Sequence, residues 1–163
     1  MGNESFSAFY GREYAPVRNV VFALCRNWGV AEELTQDAFI SALRRWDAVQ
    51  ALDRPDAWVR RVALNLATSR LRRVTAEARA LLRLSVRGRS DDVAEGSPLR
   101  EFLELVAALP RRQAQAVVLY YLDDLSVKTV AEVMGCAEGT VKAHLAGARR
   151  RLTNALVEAA DVV

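Results

Sequence analysis

The stretch LSVKTVAEVMGCAEGTVKAHLAGARRRL, Leu125 to Leu152, sets two short helix-like patterns on either side of Gly135 and ends the second on an arginine run. A helix-turn-helix needs two helices crossing at about 90–120° over a tight turn. It also needs a small residue at the crossing, a turn residue that tolerates a left-handed backbone, and apolar anchors inside the second helix. Ser126 is placed to cap the first helix, Ala131 is the small residue, Met134 points inward, and Gly135 lies where the chain bends. Val141 and Leu145, at i and i+4, anchor the second helix. Thr140, Lys142, Ala143 and His144 fall partly outward near its N-terminal half, the part that enters a major groove. Arg149, Arg150 and Arg151 follow at the far end, where phosphates are expected. An ordinary helix pair in an all-α bundle can show any one of these features. The joint pattern of Ala131, Gly135, Val141 and Leu145 is what favours a helix-turn-helix.

Working outward, no segment carries a convincing strand pattern. The spacing predicts a first helix from about Glu4 to Trp28, with Pro16 kinking or splitting it and Asn27-Trp28-Gly29 ending it. A second runs from Ala31 to Trp46 on a stripe of Ala31, Leu34, Thr35, Ala38, Ala42 and Trp46, leaving Ile40 and Leu43 off the stripe for a partner surface. A short connection, Asp47 to Arg54, leads to a third helix from Pro55 to about Arg73, with Trp58, Val59, Val62, Ala63 and Leu66 inward and arginines around the rest. Residues 75–98 break the pattern and read as a flexible linker. Helices resume with Leu99, Phe102, Leu103 and Val106, then with Ala114, Val117, Val118 and Tyr121, both at i, i+3, i+4, i+7. The expected class is all-α: two small helical domains joined by a linker, the C-terminal one holding the helix-turn-helix.

Composition narrows the function. The 163 residues are 52% hydrophobic, enough for real cores in one or two small domains. No apolar run approaches the roughly 18–20 residues of a membrane span, so no membrane role is expected. The N-terminus has neither a secretory core nor, with Phe6 at the sixth position, the myristoylation pattern. Cys25 and Cys136 stand far apart, and His144 lies outside zinc spacing, so two buried cytosolic thiols are expected and no metal. The net charge is only +3, but Arg60 to Arg89 holds nine arginines against the single Glu77. Arginine clustered this way is the footprint of a polyanion partner. One histidine, no glycine-rich phosphate loop and no paired carboxylates framed by a base argue against an enzyme, and no cofactor is expected. A stand-alone dimeric regulator would carry a dimerisation helix or ligand domain, and neither is evident.

LVAALPRRQAQAVVLYYLDDLSVKTVAEVMGCAEGTVKAHLAGARRRLTNAL resembles the promoter-reading C-terminal module of extracytoplasmic-function (ECF) sigma factors, through Leu109, Pro110, Arg112, Gln113, Leu125, Ser126, Gly139, Thr140, Val141, Arg151 and Leu152. AEELTQDAFISALRRW is similar to the family's core-polymerase-binding helix, and PDAWVRRVALNLATSRLRR to the helix that engages the promoter −10 element. The resemblance implies residues 1–74 as sigma region 2, residues 75–98 as linker and residues 99–163 as region 4. Glu33, Gln36, Asp37 and Ile40 would face the β′ clamp helices of core RNA polymerase, with the β subunit as a further contact. Arg60, Arg61, Asn65, Thr68, Ser69 and Arg72 would meet the −10 DNA, with the loop Ala48 to Arg54 helping to trap a flipped base. Arg112, Thr140, Lys142, His144 and Arg149 would engage the −35 duplex. It implies a bacterial cytosolic protein, nucleoid-associated when on polymerase, and the linker would permit an anti-sigma factor to wedge between the modules. The sequence departs from the family at Ser69, where Asp is usual, and at Ala137, where a Ser cap is usual. At Ala114, His144 and Gly147 arginines are common and absent here.

Overall fold

A computed structural model of the chain describes residues 4–81 and 93–161. The chain forms two compact units, Met1–Asp91 and Asp92–Val163, and the regular structure among the described residues is all helical, as the periodicity predicts. The central part of the expected linker, residues 82–92, lies outside the described residues.

The first unit packs α1 (Phe6–Cys25), α2 (Trp28–Arg44), the single-turn α3 (Trp46–Gln50) and α4 (Pro55–Leu81). Ser5 caps α1, its hydroxyl accepting the Ala8 N–H at 3.2 Å. The helix runs unbroken through Pro16 and stops at Arg26, whose left-handed φ of 58° returns its N–H to the Phe22 carbonyl at 2.7 Å. Asn27 then caps the next helix by accepting the Val30 N–H at 3.0 Å. Trp28 and Gly29 therefore open α2 rather than close α1, and Trp28 stacks on Phe22 at 3.7 Å. The expected Asp47–Arg54 connection is in part helical, because Trp46 begins α3.

The core forms where Phe9, Val17 and Val21 of α1 meet Ala38, Phe39 and Ala42 of α2, Val49 of α3, and Val59, Ala63 and Ala67 of α4. Alanines on α2 and α4 let the helices approach, and Phe9 fills the centre, 5.8 Å from Phe39 and 5.0 Å from Trp46. Phe39 and Leu64 are buried although neither lies on the predicted stripes. The α4 helix continues past Arg73 into the expected linker, where Ala76, Ala78, Ala80 and Leu81 are strong helix formers.

The second unit contains α5 (Pro98–Ala107), α6 (Arg111–Val117) running into a π-helical turn (Val118–Leu122), α7 (Val127–Met134) and α8 (Glu138–Asp161). Ser97 caps α5 through the Arg100 N–H at 3.2 Å. Leu103, Val106, Leu109, Ala114, Val117 and Leu119 build a core with the inner sides of α7 and α8. Leu99 and Tyr121, both on predicted inward stripes, are exposed.

One buried ion pair ties α4 to α1. The Arg60 guanidinium donates to Glu13 at 2.7 Å, with both side chains nearly sealed from solvent. Removing one member of such a pair strands the other charge, whereas replacing both with apolar groups is often neutral. Glu13→Ala is expected to destabilise the protein by about 3–5 kcal/mol in urea unfolding, and Glu13→Leu with Arg60→Met by far less. Equal losses from the single and double changes would contradict this account.

Candidate nucleic-acid interface

Residues four apart on a helix lie nearly above one another. Arg61, Asn65 and Ser69 follow that spacing on α4, Arg72 lies three residues further on, and all four are exposed, with Thr68 half-buried beside them. They make one continuous cationic and hydrogen-bonding stripe, suited to phosphates and base edges. Arg60 does not belong to it. One residue is ~100° around the helix, which turns Arg60 toward α1. There it is 5% exposed, donates to Glu13 and also reaches the Asp56 carbonyl at 3.2 Å. Of the residues expected at the −10 DNA, Arg60 is the one that is buried and engaged within the unit. At the start of α4, Arg54 grips Asp56 through two hydrogen bonds of 3.0 and 2.7 Å. That pairing holds the Asp56 carboxyl below its usual range.

A separate face is presented by α2. Glu33, Gln36, Asp37 and Ile40 are all exposed at i, i+3, i+4, i+7. Leu43, 54% exposed, extends the face one turn beyond Ile40, which is 45% exposed. The sequence singled out both as off-stripe, but only Ile40 stood among the expected site residues. Glu33 also meets Arg70 of α4 at 3.4 Å, so the acidic start of this face is braced from the neighbouring helix.

In the second unit the turn is built as its residues predict. Ser126 accepts the Thr129 N–H at 3.1 Å and opens α7. Gly135 ends it at φ 65°, and the Cys136 N–H reaches the Ala131 carbonyl at 3.1 Å. Val141, Leu145 and Ala148 seat α8 inward. The outer side carries Thr140, Lys142, Ala143 and Arg149, all exposed, with His144 half-buried. Thr140 and Lys142 are ~200° apart around the axis, so Thr140 with His144 borders one side of the exposed face and Lys142 with Arg149 the other. Ala143 lies between, offering only a methyl group.

Arg112 lies on α6 and is half-exposed. Its guanidinium donates to the Met134 carbonyl at 3.0 Å and to the Gln115 side chain at 3.1 Å, satisfying the C-terminal end of α7. In this arrangement the guanidinium ties α6 to the turn. Gly147, where an arginine is common, lies against Gln113: a Cβ there would stand 2.8 Å from the Gln113 Nε2. The Gln113 side chain therefore occupies the space where a side chain at 147 would begin. Both cysteines are half-buried free thiols rather than fully buried ones.

A sigma-70 region 2 model matches residues 9–77 and a sigma-70 region 4 model matches residues 99–152. The ECF RNA polymerase sigma factor SigM of Mycobacterium tuberculosis is 30% identical over 93% of this chain and 77% of its own. The probable RNA polymerase sigma factor RfaY of Xanthomonas campestris pv. campestris is 29% identical over 93% of this chain, which spans 41% of RfaY's length. Among solved structures, the Bartonella quintana sigma factor RpoE, in complex with the anti-sigma factor NepR, superposes with a TM-score of 0.79 at 24% identity, covering 93% of this chain and 96% of that one. CnrH, in complex with the cytosolic domain of CnrY, gives 0.65 at 22%, covering 94% and 88%. Both structural likenesses concern the fold. Two sigma modules in order, one carrying an exposed basic stripe and the other a helix-turn-helix, define a promoter-recognition factor. The chain belongs to the ECF RNA polymerase sigma factors, which act in transcription initiation. No helix of the described residues is long and apolar enough to cross a membrane.

Arg112→Ala is expected to lower stability by about 1–2 kcal/mol, the loss of a charge-assisted hydrogen bond to a helix end. The slope of DNA affinity against salt stays unchanged, because no phosphate contact is lost. A slope reduced by one, with stability intact, would restore Arg112 to the DNA surface.

Proposed function

We propose that the chain is a non-catalytic initiation subunit that binds core RNA polymerase and directs it to a two-element promoter. Residues 1–74 bind core and open the −10 element, residues 75–98 connect, and residues 99–163 read the −35 element. The observation that carries this reading is the pairing of two exposed surfaces in one chain: the α4 stripe in the first unit and the outer side of α8 in the second.

On α2, Glu33, Gln36, Asp37 and Ile40, with Leu43 added, meet the β′ clamp helices; an acidic and apolar face of this kind suits a basic, partly apolar partner. The β subunit supplies a further contact. On α4, Arg61 and Arg72 hold the backbone while Asn65, Thr68 and Ser69 offer short polar groups to unstacked bases. Ser69 brings a neutral hydroxyl where an aspartate is usual, which removes a like-charge penalty beside the phosphates. On α8, Thr140, Lys142 and His144 face the −35 duplex and Arg149 a phosphate. The protein works in the bacterial cytosol, on the nucleoid when polymerase-bound. The solved sigma factor RpoE is in complex with the anti-sigma factor NepR, and a comparable anti-sigma partner is proposed for this chain.

Run-off transcription on genomic fragments tests the reading. Core polymerase with the chain is expected to give discrete transcripts whose start sites share two upstream elements. Arg61→Ala with Asn65→Ala is expected to abolish them by preventing opening. Tight binding of the chain alone to duplex promoter DNA, with no affinity for core, would contradict it. His144→Arg is expected to steepen the salt dependence of promoter binding by about one unit of slope.

A further inference from the structure

Tyr121 does not sit where its spacing puts it. The series Ala114, Val117, Val118, Tyr121 predicts a buried tyrosine, yet Tyr121 is 50% exposed and Leu119 is buried. The cause is the π-helical turn Val118–Leu122. It is closed by the Asp123 N–H on the Val118 carbonyl at 3.1 Å, five residues back, and followed by the Leu125 N–H on the Leu119 carbonyl at 3.1 Å. A wider turn delays the rotation of every side chain after it, and single π turns inside helices recur at functional sites. Here the delay carries Tyr121 to α8. Its hydroxyl accepts a hydrogen bond from the Arg149 Nε at 3.0 Å, and the Arg149 guanidinium carbon stands 6.0 Å from the ring centroid.

Arginine offers five N–H donors in a rigid planar fork. With Nε–H bound to Tyr121, the plane of the fork is set, and the four Nη hydrogens remain for a bidentate grip on a phosphate. A long exposed side chain otherwise loses rotamer freedom when it binds, so ordering it beforehand strengthens the contact without adding one.

We infer that Tyr121 is a positioning residue of the promoter contact: the π turn exists to place its hydroxyl where it holds Arg149 ready for a DNA phosphate. This rests on the reading of α8 as the −35 helix. It adds to that helix a partner lying outside the helix-turn-helix.

The test uses holoenzyme reconstituted from core polymerase and the full chain, with a fluorescent duplex of a promoter that the chain transcribes. Equilibrium binding is measured across salt for wild type, Tyr121→Phe, Arg149→Ala and the double variant. Arg149→Ala is expected to lower the salt slope by about one. Tyr121→Phe, which keeps the ring, is expected to weaken binding about three- to tenfold, with thermal stability and the rate of strand opening after binding unchanged. The double variant is expected to bind no worse than Arg149→Ala alone, because both changes remove one interaction. Wild-type binding by Tyr121→Phe beside an impaired Arg149→Ala, or losses that add, would overturn the inference and leave the −35 reading standing. An unchanged slope in Arg149→Ala would overturn both Arg149's contact with DNA and the inference built on it.

Discussion

Everything the second unit offers to DNA depends on one backbone conformation, the left-handed turn at Gly135. At φ 65° the chain leaves α7, and the Cys136 N–H closes on the Ala131 carbonyl. A side chain at this position would pay for the same turn with a steric clash between Cβ and the backbone. The turn sets the direction in which α8 departs. That direction decides that Val141, Leu145 and Ala148 are buried while Thr140, Lys142, Ala143 and Arg149 remain on the surface. Arg112 secures the same turn from α6 by binding the Met134 carbonyl. The helix ends before the turn with its carbonyls satisfied, so the reading helix starts from a fixed base.

Arginine is common in this chain, and its partners sort it into different tasks. Arg60 is enclosed and must be paired, because an unpaired charge away from water is strongly destabilising; Glu13 supplies the pairing. Arg112 has its carbonyl and Arg70 its exposed partner Glu33. Arg61 and Arg72 remain on the open stripe of α4. Local charge therefore marks the region that faces a polyanion, but not which side chains touch it. A buried arginine in that region holds the helix in place, and its neighbours are then presented at the correct angle.

Much of this was legible from spacing. Period-3.6 patterns mark the helices, and the set Ala131, Gly135, Val141 and Leu145 marks the turn and its anchors, since each answers a local steric demand. Spacing shows the arginines lining α4, whereas Asn65, Thr68 and Ser69 beside them are named by the family resemblance alone. What escaped depends on distant or irregular geometry. Glu13 and Arg60 are 47 residues apart, so nothing local announces that one arginine of a pair turns inward and the other outward. Arg112 meets a carbonyl 22 residues away, a group that every residue carries. The π turn is invisible to a search for helical spacing, which places Tyr121 inside. Asn27-Trp28-Gly29 is expected to end one helix, but the Asn27 side chain caps the next, since asparagine serves turns and helix starts alike.

The central claim is that two surfaces in one chain act together on polymerase to open a promoter. Permanganate reactivity of thymines on a promoter fragment measures this directly, because only unpaired thymines react. With core polymerase and the chain together, reactive thymines are expected in the −10 region, and with either component alone none. Reactivity that persists without the chain, or protection of duplex DNA by the chain alone with no thymine exposed on adding core, would contradict the account.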